Sequence, residues 1–313
     1  MTGTKYDILY TWVDDSFPGF REERAQYATN PDDLNPERTR DNLDLLKYSL
    51  RSIERHAPWR GKVWIVTCRP QVPAWLNTEH PDVRIAYLDE FMPAEELPCF
   101  NAFAIESYVH RIPGLSDRYV HFNDDMLLMR KVGTEHFTTA EGRLKYYFDR
   151  LLPAEPKPDM APHGSGQRNV WHTLERTFGR GGGYPQHAHQ PRIIDKSDMV
   201  RLVSTYPEEF TRTRAARFRA HDTILPHKLL AAHLVQEGRA EFVGFRRTKR
   251  LMRMVRLFNS APRNRLRLFW AWMRHPHFLC LNDDFGPLIN ERAESVASRF
   301  LKFLFPDPSG YES

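Results

Sequence analysis

Four short apolar runs set in a strand–helix alternation limit what this chain can fold into more tightly than any other feature. The runs "YDILYTWV" (6–13), "KVWIVT" (62–67), "VRIAYL" (83–88) and "RYVHF" (118–122) are rich in aromatic and β-branched residues. They are too short for buried helices and are expected to be strands. From Asp41 to His56, Leu43, Leu46, Leu50 and Ile53 recur at steps of three and four, Asp41 can cap the start, and Pro58 stops the continuation. That spacing predicts an amphipathic helix, and "FNAFAIESYVHRI" (100–112) predicts another. Strands alternating with helices imply an α/β layer with a largely parallel sheet. Ligands of such sheets bind beyond the carboxyl ends of the strands, where Asp14 and the pair Asp124-Asp125 would stand.

The tripeptide Asn-Asp-Asp ends an apolar run twice, at 123–125 after "YVHF" and at 282–284 after "FLCL". Adjacent carboxylates at a strand end suit a hard divalent cation, which keeps waters and substrate phosphates in its shell. The alternative is a capped turn, in which Asn and Asp bond neighbouring backbone N–H groups. A diphosphate fits the first reading, because the cation offsets part of its charge and arginines bind the remaining oxygens. The stretch "QHAHQPR" offers His187 and His189 near Arg192, and "ARFRAHD" offers Arg217, Arg219, His221 and Asp222. A histidine can take the proton of an attacking hydroxyl and an arginine can stabilise charge on a transferring phosphoryl group. A zinc pair of His187 and His189 lacks a third ligand at any recognisable spacing.

With 313 residues, 41% of them hydrophobic, the chain can bury a sizeable core. Its three cysteines, Cys68, Cys99 and Cys280, have no CxxC spacing, which argues against a disulfide framework or a structural zinc site and suits a reducing compartment. The N-terminal "MTGTKYDILYTWVDD" has no signal-peptide pattern and no long apolar run follows, so a soluble, cytoplasmic protein is expected. The net charge of +5 is unevenly placed: between Glu241 and Asp283 there are ten Lys or Arg and no acid. Leu, Met, Phe and Trp interleave with those arginines, as on a surface meeting phosphates, anionic lipid at the inner face of a membrane, or a polyanionic glycan. A solvated helical face whose arginines pair with acids elsewhere is the other reading. Between about 150 and 190 the chain is rich in Pro, Gly and His, which predicts long loops or a lid around a short helix. Helical spacing returns near 196–204 and 222–237.

Four blocks together carry a family likeness: "YDILYTWVDDS"; the stretch from "RTRDNLDLLKYSLRSIERHAPW" through "KVWIVTCRPQVPAWLN" to "LPCFNAFAIESYVHRIPGLSDRYVHFNDDMLL"; "YPQHAHQPRIIDKSDMVRLVSTYPEEFTRTRAARFRAHD"; and "FLCLNDDFG". The chain resembles the Stealth family of sugar-1-phosphate transferases, which includes bacterial capsule polymerases and the catalytic subunit of the lysosomal-enzyme GlcNAc-1-phosphotransferase. It departs from the family at Asp15 and Ser16, where Gly followed by Ser or Thr is usual.

The resemblance implies a Rossmann-like, GT-A-type nucleotide-sugar transferase core with long active-site loops. It also implies one catalytic domain over 1–313: a nucleotide-sugar-binding half (1–150), a catalytic loop and helical region (151–245), and a basic helical segment with the second Asn-Asp-Asp (246–313). The implied reaction moves a hexose-1-phosphate, GlcNAc-1-phosphate in the first instance, from a UDP-sugar to a hydroxyl of an acceptor glycan and releases UMP. Carried over position by position, His189, Arg219 and Asp125 are expected to be catalytic. Asp124, Asp125 and Asp283 are expected to hold Mg2+ or Mn2+. Asp14, Arg40, Asn42, Arg51, Asn101, Glu106, Asn123, Asn169 and Asn282 are candidates for donor or acceptor contact, although Arg51 and Glu106 could instead form an ion pair between helices. The segment 163–190 would close over the site, with its glycines as the hinge. The alternatives are a metal-dependent glycosyltransferase that releases UDP, and a non-catalytic binder of polyanionic glycan or nucleic acid through 246–274.

Overall fold

The computed structural model describes residues 5–152, 161–179 and 184–313. Its strands are β1 (Tyr6–Thr11), β2 (Arg60–Thr67), β3 (Val83–Tyr87), β4 (Arg118–Asn123), β5 (Met126–Leu128), β6 (Leu144–Leu152), β7 (Tyr184–His187), β8 (Arg192–Asp195), β9 (Ala240–Val243), β10 (Met252–Phe258) and β11 (Phe278–Asp284). The helices are α1 (Phe20–Tyr27), α2 (Leu45–His56), α3 (Ala102–Glu106), α4 (Pro162–Phe178), α5 (Lys196–Thr205), α6 (Pro207–Ala215), α7 (Pro226–Gln236), α8 (Phe245–Leu251), α9 (Ala261–Met273) and α10 (Glu291–Leu304).

The expected strands form the middle of the molecule. They lie in the order β3-β2-β1-β4-β8, parallel except for the edge strand β8, which runs antiparallel to β4. Ile8, opposite Val63 on one side and Val120 on the other, is fully buried along with Leu9 and Tyr10. Burial on both faces explains why β1 reads as a continuous apolar run instead of an alternating one. The α/β class with a largely parallel sheet is as the sequence indicates.

A smaller sheet, β10-β11-β5, brings the two Asn-Asp-Asp segments together. The chain reverses after Asp125 into β5, which pairs antiparallel with β11 so that Met126 faces Cys280. Leu127, Leu279 and Leu281 point away from the main core into a second one, closed by Leu268 and Ala271 of α9 and Ala297 and Leu301 of α10. A third sheet, β7-β6-β9, carries the histidine-rich strand beside Phe148.

Several boundaries differ from the sequence expectation. The helix expected from Asp41 begins at Leu45, because Asp44 takes φ 51° and the Asp41 carboxylate accepts the Leu45 N–H from one turn away (3.1 Å). The helix expected over 100–112 breaks into α3 and a short turn at Val109–Arg111. Arg214 takes the Ser107 carbonyl (3.0 Å) that a continuing helix would use. Within the Gly- and Pro-rich stretch the expected short helix is the 17-residue α4, and residues 153–160 and 180–183, where loops are expected, lie outside the described residues. Pro162 sits at the helix start, where its missing N–H costs nothing. Gly166 serves close packing, since a Cβ there would come within 2.6 Å of Leu225 Cδ1. Of the expected hinge glycines, Gly164 and Gly166 lie inside α4 and Gly179 caps its end, while Gly181 to Gly183 lie outside the described residues. The basic segment is not purely helical either, as β10 interrupts it.

Candidate active site

His189 follows β7 and is fixed from the other side by β8, whose Arg192 lies opposite His121 on β4. Its Nε2 is 3.1 Å from Asp125 Oδ2, while Nδ1 has no protein partner among the described residues. The side chain is 28% exposed, so that free nitrogen can be reached from outside. Asp125 is held at both ends: its backbone carbonyl accepts the Leu281 N–H (2.9 Å), and Oδ2 also accepts the Cys280 thiol (3.0 Å). Its Oδ1 is buried with no partner.

The adjacent carboxyls titrate apart. Burial alone would raise Asp125, but His189, the Cys280 thiol and Arg192 outweigh it and hold the group below the usual carboxylate range. Asp124 has no such partners, and burial, then the charge of Asp125, then that of Asp41 push it well up. Asp41 is itself pushed up to about 6 by burial, against hydrogen bonds from Trp12 Nε1 (2.8 Å) and the Leu45 N–H. Two like charges forced together in a shielded place separate in this way.

Such a pair, with an unpartnered carboxylate oxygen, fits a divalent cation. Among the described residues, donor atoms of Asp125, His189 and Cys280 lie within 4.8 Å of one another, with Asp124 adjacent in sequence. Nitrogen and thiol donors make this set softer than the all-oxygen shell that Mg2+ favours. Asp283 does not belong to it, contrary to the expectation that it shares the cation. Both its oxygens are bound by Arg40, through Nε at 2.5 Å and Nη2 at 2.6 Å, and Arg40 Nη1 reaches the Gly286 carbonyl at 2.7 Å. Thus the two acidic strand ends meet through backbone, and of their aspartates only Asp125 bonds His189 among the described residues.

Behind the dyad is a buried ionic cluster. Arg192, 2% exposed, donates from Nη2 to Glu106 Oε1, close to His121 Nδ1 and Asn123 Oδ1, each at 3.2 Å. The second Glu106 oxygen is bonded to His227 Nδ1. The ion pair of Glu106 is therefore with Arg192, and Arg51 instead grips Glu312 through two bonds of 2.8 and 2.6 Å. Arg219 lies over the Phe103 ring (4.8 Å to its centre). Burial, reinforced by the charge of Arg38, pulls its pKa down to about 10.

The remaining candidates have structural partners. Asn101 caps α3 and donates to the Ala216 carbonyl (2.9 Å), tying the segment that leads to Arg219 to the start of α3. Asn169 donates to the carbonyls of His221 and Thr223, both at 2.8 Å. Asn42 bonds Glu294 (2.6 Å) and Asn282 the Asp283 carbonyl (3.0 Å). The Asp14 carboxylate closes a turn onto Ser16 (2.9 and 2.7 Å). Asp15, where the chain departs from the family pattern, is buried against Arg21 (2.8 Å) and Thr39 (3.0 Å). Cys280, Asp41 and His227 join these groups although no motif in the sequence marks them. Strand alternation held a signal for Cys280, which faces opposite to Leu279 and Leu281.

The family models for Stealth conserved region 2 and conserved region 4 match residues 38–146 and 273–313. The chain belongs to the Stealth family. Among the relatives of this Stealth chain are an exopolysaccharide phosphotransferase of Streptomyces coelicolor, 33% identical over 98% of this chain and 51% of its own length, and one of Nocardia farcinica, 33% identical over 99% and 61%. The capsular polysaccharide phosphotransferase SacB of Neisseria meningitidis serogroup A is 29% identical over 98% and 56%. The Stealth chain spans about half the length of the curated relatives it matches. The galactosyltransferase LgtC, in complex with donor and acceptor sugar analogues, aligns over 95% of both chains at 13% identity with a TM-score of 0.46. Mouse xyloside xylosyltransferase 1 aligns over 81% of this chain and 88% of its own at 12% and 0.43. Both scores fall below the level that would fix a shared fold.

Proposed function

We propose that this chain transfers a hexose-1-phosphate, with GlcNAc-1-phosphate as the first candidate, from a UDP-sugar to a hydroxyl of an acceptor glycan. The observation that carries the proposal is the His189–Asp125 pair with a free, reachable Nδ1. The phosphotransferase names of the relatives support the reaction type.

In this reading His189 Nδ1 takes the proton of the acceptor hydroxyl as its oxygen attacks the β-phosphorus. The bond from that phosphorus to the bridging oxygen breaks, and UMP leaves with the bond's electron pair. Asp125 keeps the imidazole oriented and stabilises the imidazolium, as a carboxylate does behind a catalytic histidine. Arg219 supplies positive charge to the phosphoryl oxygens. A divalent cation, Mg2+ or Mn2+, held by Asp124 and Asp125, would offset the charge of the donor diphosphate. Asp283 and Arg40 take no part beyond bracing the strand end.

For the partners, we propose peripheral contact with an anionic membrane through α9. Leu266, Phe269, Trp270, Trp272 and Met273 are exposed there, next to Phe303 of α10. Of the ten basic residues between 242 and 282, Arg247 and Arg256 alone have acidic partners among the described residues. Most of these arginines are therefore not spent on internal pairs, which favours the anionic-surface reading over the paired one. Among the described residues no helix is long and apolar enough to cross a membrane.

Incubation with a panel of UDP-sugars, a divalent cation and simple sugar acceptors tests the reaction. UMP with a phosphodiester product is expected, whereas UDP with a glycoside product would establish glycosyl transfer and overturn the proposal.

A further inference from the structure

A cavity of about 420 Å³ opens between α4, α7 and the β7-β6-β9 sheet. This volume lies in the range of small-molecule sites, roughly 300–1,000 Å³. Its walls include four aromatic side chains: Phe148 and Phe242 stack at 4.6 Å, and Trp171 and Phe178 come from α4, with aliphatic residues and three glutamines between them. His187 and Lys228 also line it. The acid at its edge, Glu175, is turned to His172 (3.6 Å).

Lys228 is the anomaly. It is 7% exposed, yet its ammonium has no hydrogen-bond or ion-pair partner among the described residues. Glu106 acts on it at a distance but is already bonded by Arg192 and His227, and Asp149 acts on it without bonding it. His187 Nδ1 is likewise buried and unpartnered. A lysine ammonium that makes no ion pair beside the cavity, and a buried ring nitrogen without a partner, are groups that a bound anion would satisfy. Burial, with the charge of Arg192, lowers the Lys228 pKa to about 7 against the opposing pull of Asp149 and Glu106.

We propose that this cavity is a second ligand site, for a hydrocarbon-chain phosphate. The chain lies between the aromatic walls and the phosphate meets Lys228 and His187. The proposal stands apart from the transferase reading, because it concerns binding and not turnover. The two are connected by the chain itself: His187 lines the cavity, and His189 is two residues later.

The test is titration calorimetry with decyl phosphate below its micelle concentration, with inorganic phosphate and decanol as comparison probes. Decyl phosphate should bind the wild type at least tenfold more tightly than either comparison. Lys228→Met should weaken it at least tenfold, Lys228→Arg should restore part of the loss, and Ala232→Phe, which fills the cavity from α7, should abolish it. Thermal unfolding identifies any variant that fails to fold, and the wild-type comparison and the remaining variants then decide. Inorganic phosphate binding as tightly would make this a bare anion site, and decanol binding as tightly would leave Lys228 no role. Either result, or unchanged affinity in a folded Lys228→Met, overturns the proposal.

Discussion

His189 meets Asp125 through Nε2, at 3.1 Å from Oδ2, so Nδ1 is the nitrogen left to face a substrate. This orientation makes the two residues separable in their effects. His189→Ala should lower the rate of UMP formation by about 10²- to 10⁴-fold and leave donor affinity nearly unchanged. Asp125→Asn should lower it too while weakening the response to added divalent cation. Steady-state kinetics with a metal titration distinguishes them. A fully active His189→Ala removes the dyad from the reaction.

The Arg40–Asp283 pair is mostly buried and bidentate. Removing one partner strands the other charge, so Arg40→Ala or Asp283→Ala should each cost about 3–5 kcal/mol of stability, and the double variant less than the sum. Chemical denaturation of the four proteins measures the coupling. If Asp283 were a metal ligand instead, Asp283→Asn would weaken the metal response of activity as Asp125→Asn does. An unaltered response is expected.

Glu106 joins Arg192 to His227 where all three are buried. Glu106→Ala leaves Arg192 without its counter-charge and should destabilise by about 3–5 kcal/mol. Hydrogen exchange should show the loss first in β4 and β8, which the cluster joins. A neutral outcome would mean that the arginine had found solvent.

Lys228 gives stability a pH dependence of definite sign. Its folded-state pKa is pulled down to about 7 from an unfolded value of about 10.4. Below pH 7 both states are charged and the cost of burial is felt in full. From there to about pH 10 the unfolded chain holds a proton that the native one lacks, so stability should rise with pH, by up to about 1.4 kcal/mol per unit. Asp149, Glu106, Arg150, Arg192, His187 and His227 surround the site, so the measured quantity is the difference from Lys228→Met. That variant should lack the slope and gain most stability below pH 7.

The exposed face of α9 should bind vesicles rich in anionic lipid. Neutralising Arg265 and Arg267 should weaken binding by about 1 kcal/mol per arginine, as should added salt, and Trp270→Ser should weaken it at any ionic strength. Flotation assays report both. Binding that is indifferent to all three changes would rule out this face.

The main sheet was legible because its strands are buried on both faces and announce themselves as apolar runs. The association of Asp125 with His189 was legible only as a shared site: the family motif named both residues, but their contact depends on β8 lying antiparallel beside β4, which no local pattern encodes. Asp283 misled because it repeats a tripeptide whose side chains alternate across a strand. A doubled motif fixes backbone position without fixing what each carboxylate faces, and here Arg40, far away in sequence, took the second one. The glycines of α4 misled for a related reason, since composition records the absence of a Cβ and not whether that absence serves motion or contact.

Beyond β5 the pairing of Leu128 with Phe278 is continued by a backbone hydrogen bond of 3.0 Å from the Met129 N–H to the His277 carbonyl. The span closed by this clasp supplies β8 to the main sheet, β10 to the small one and His189 to Asp125, so both ends of the excursion are pinned to the acid they serve. Insertions that enlarge such a chain are therefore tolerated between the elements of that span and not within them, where they would pull β8 or β10 out of register and unseat Asp125.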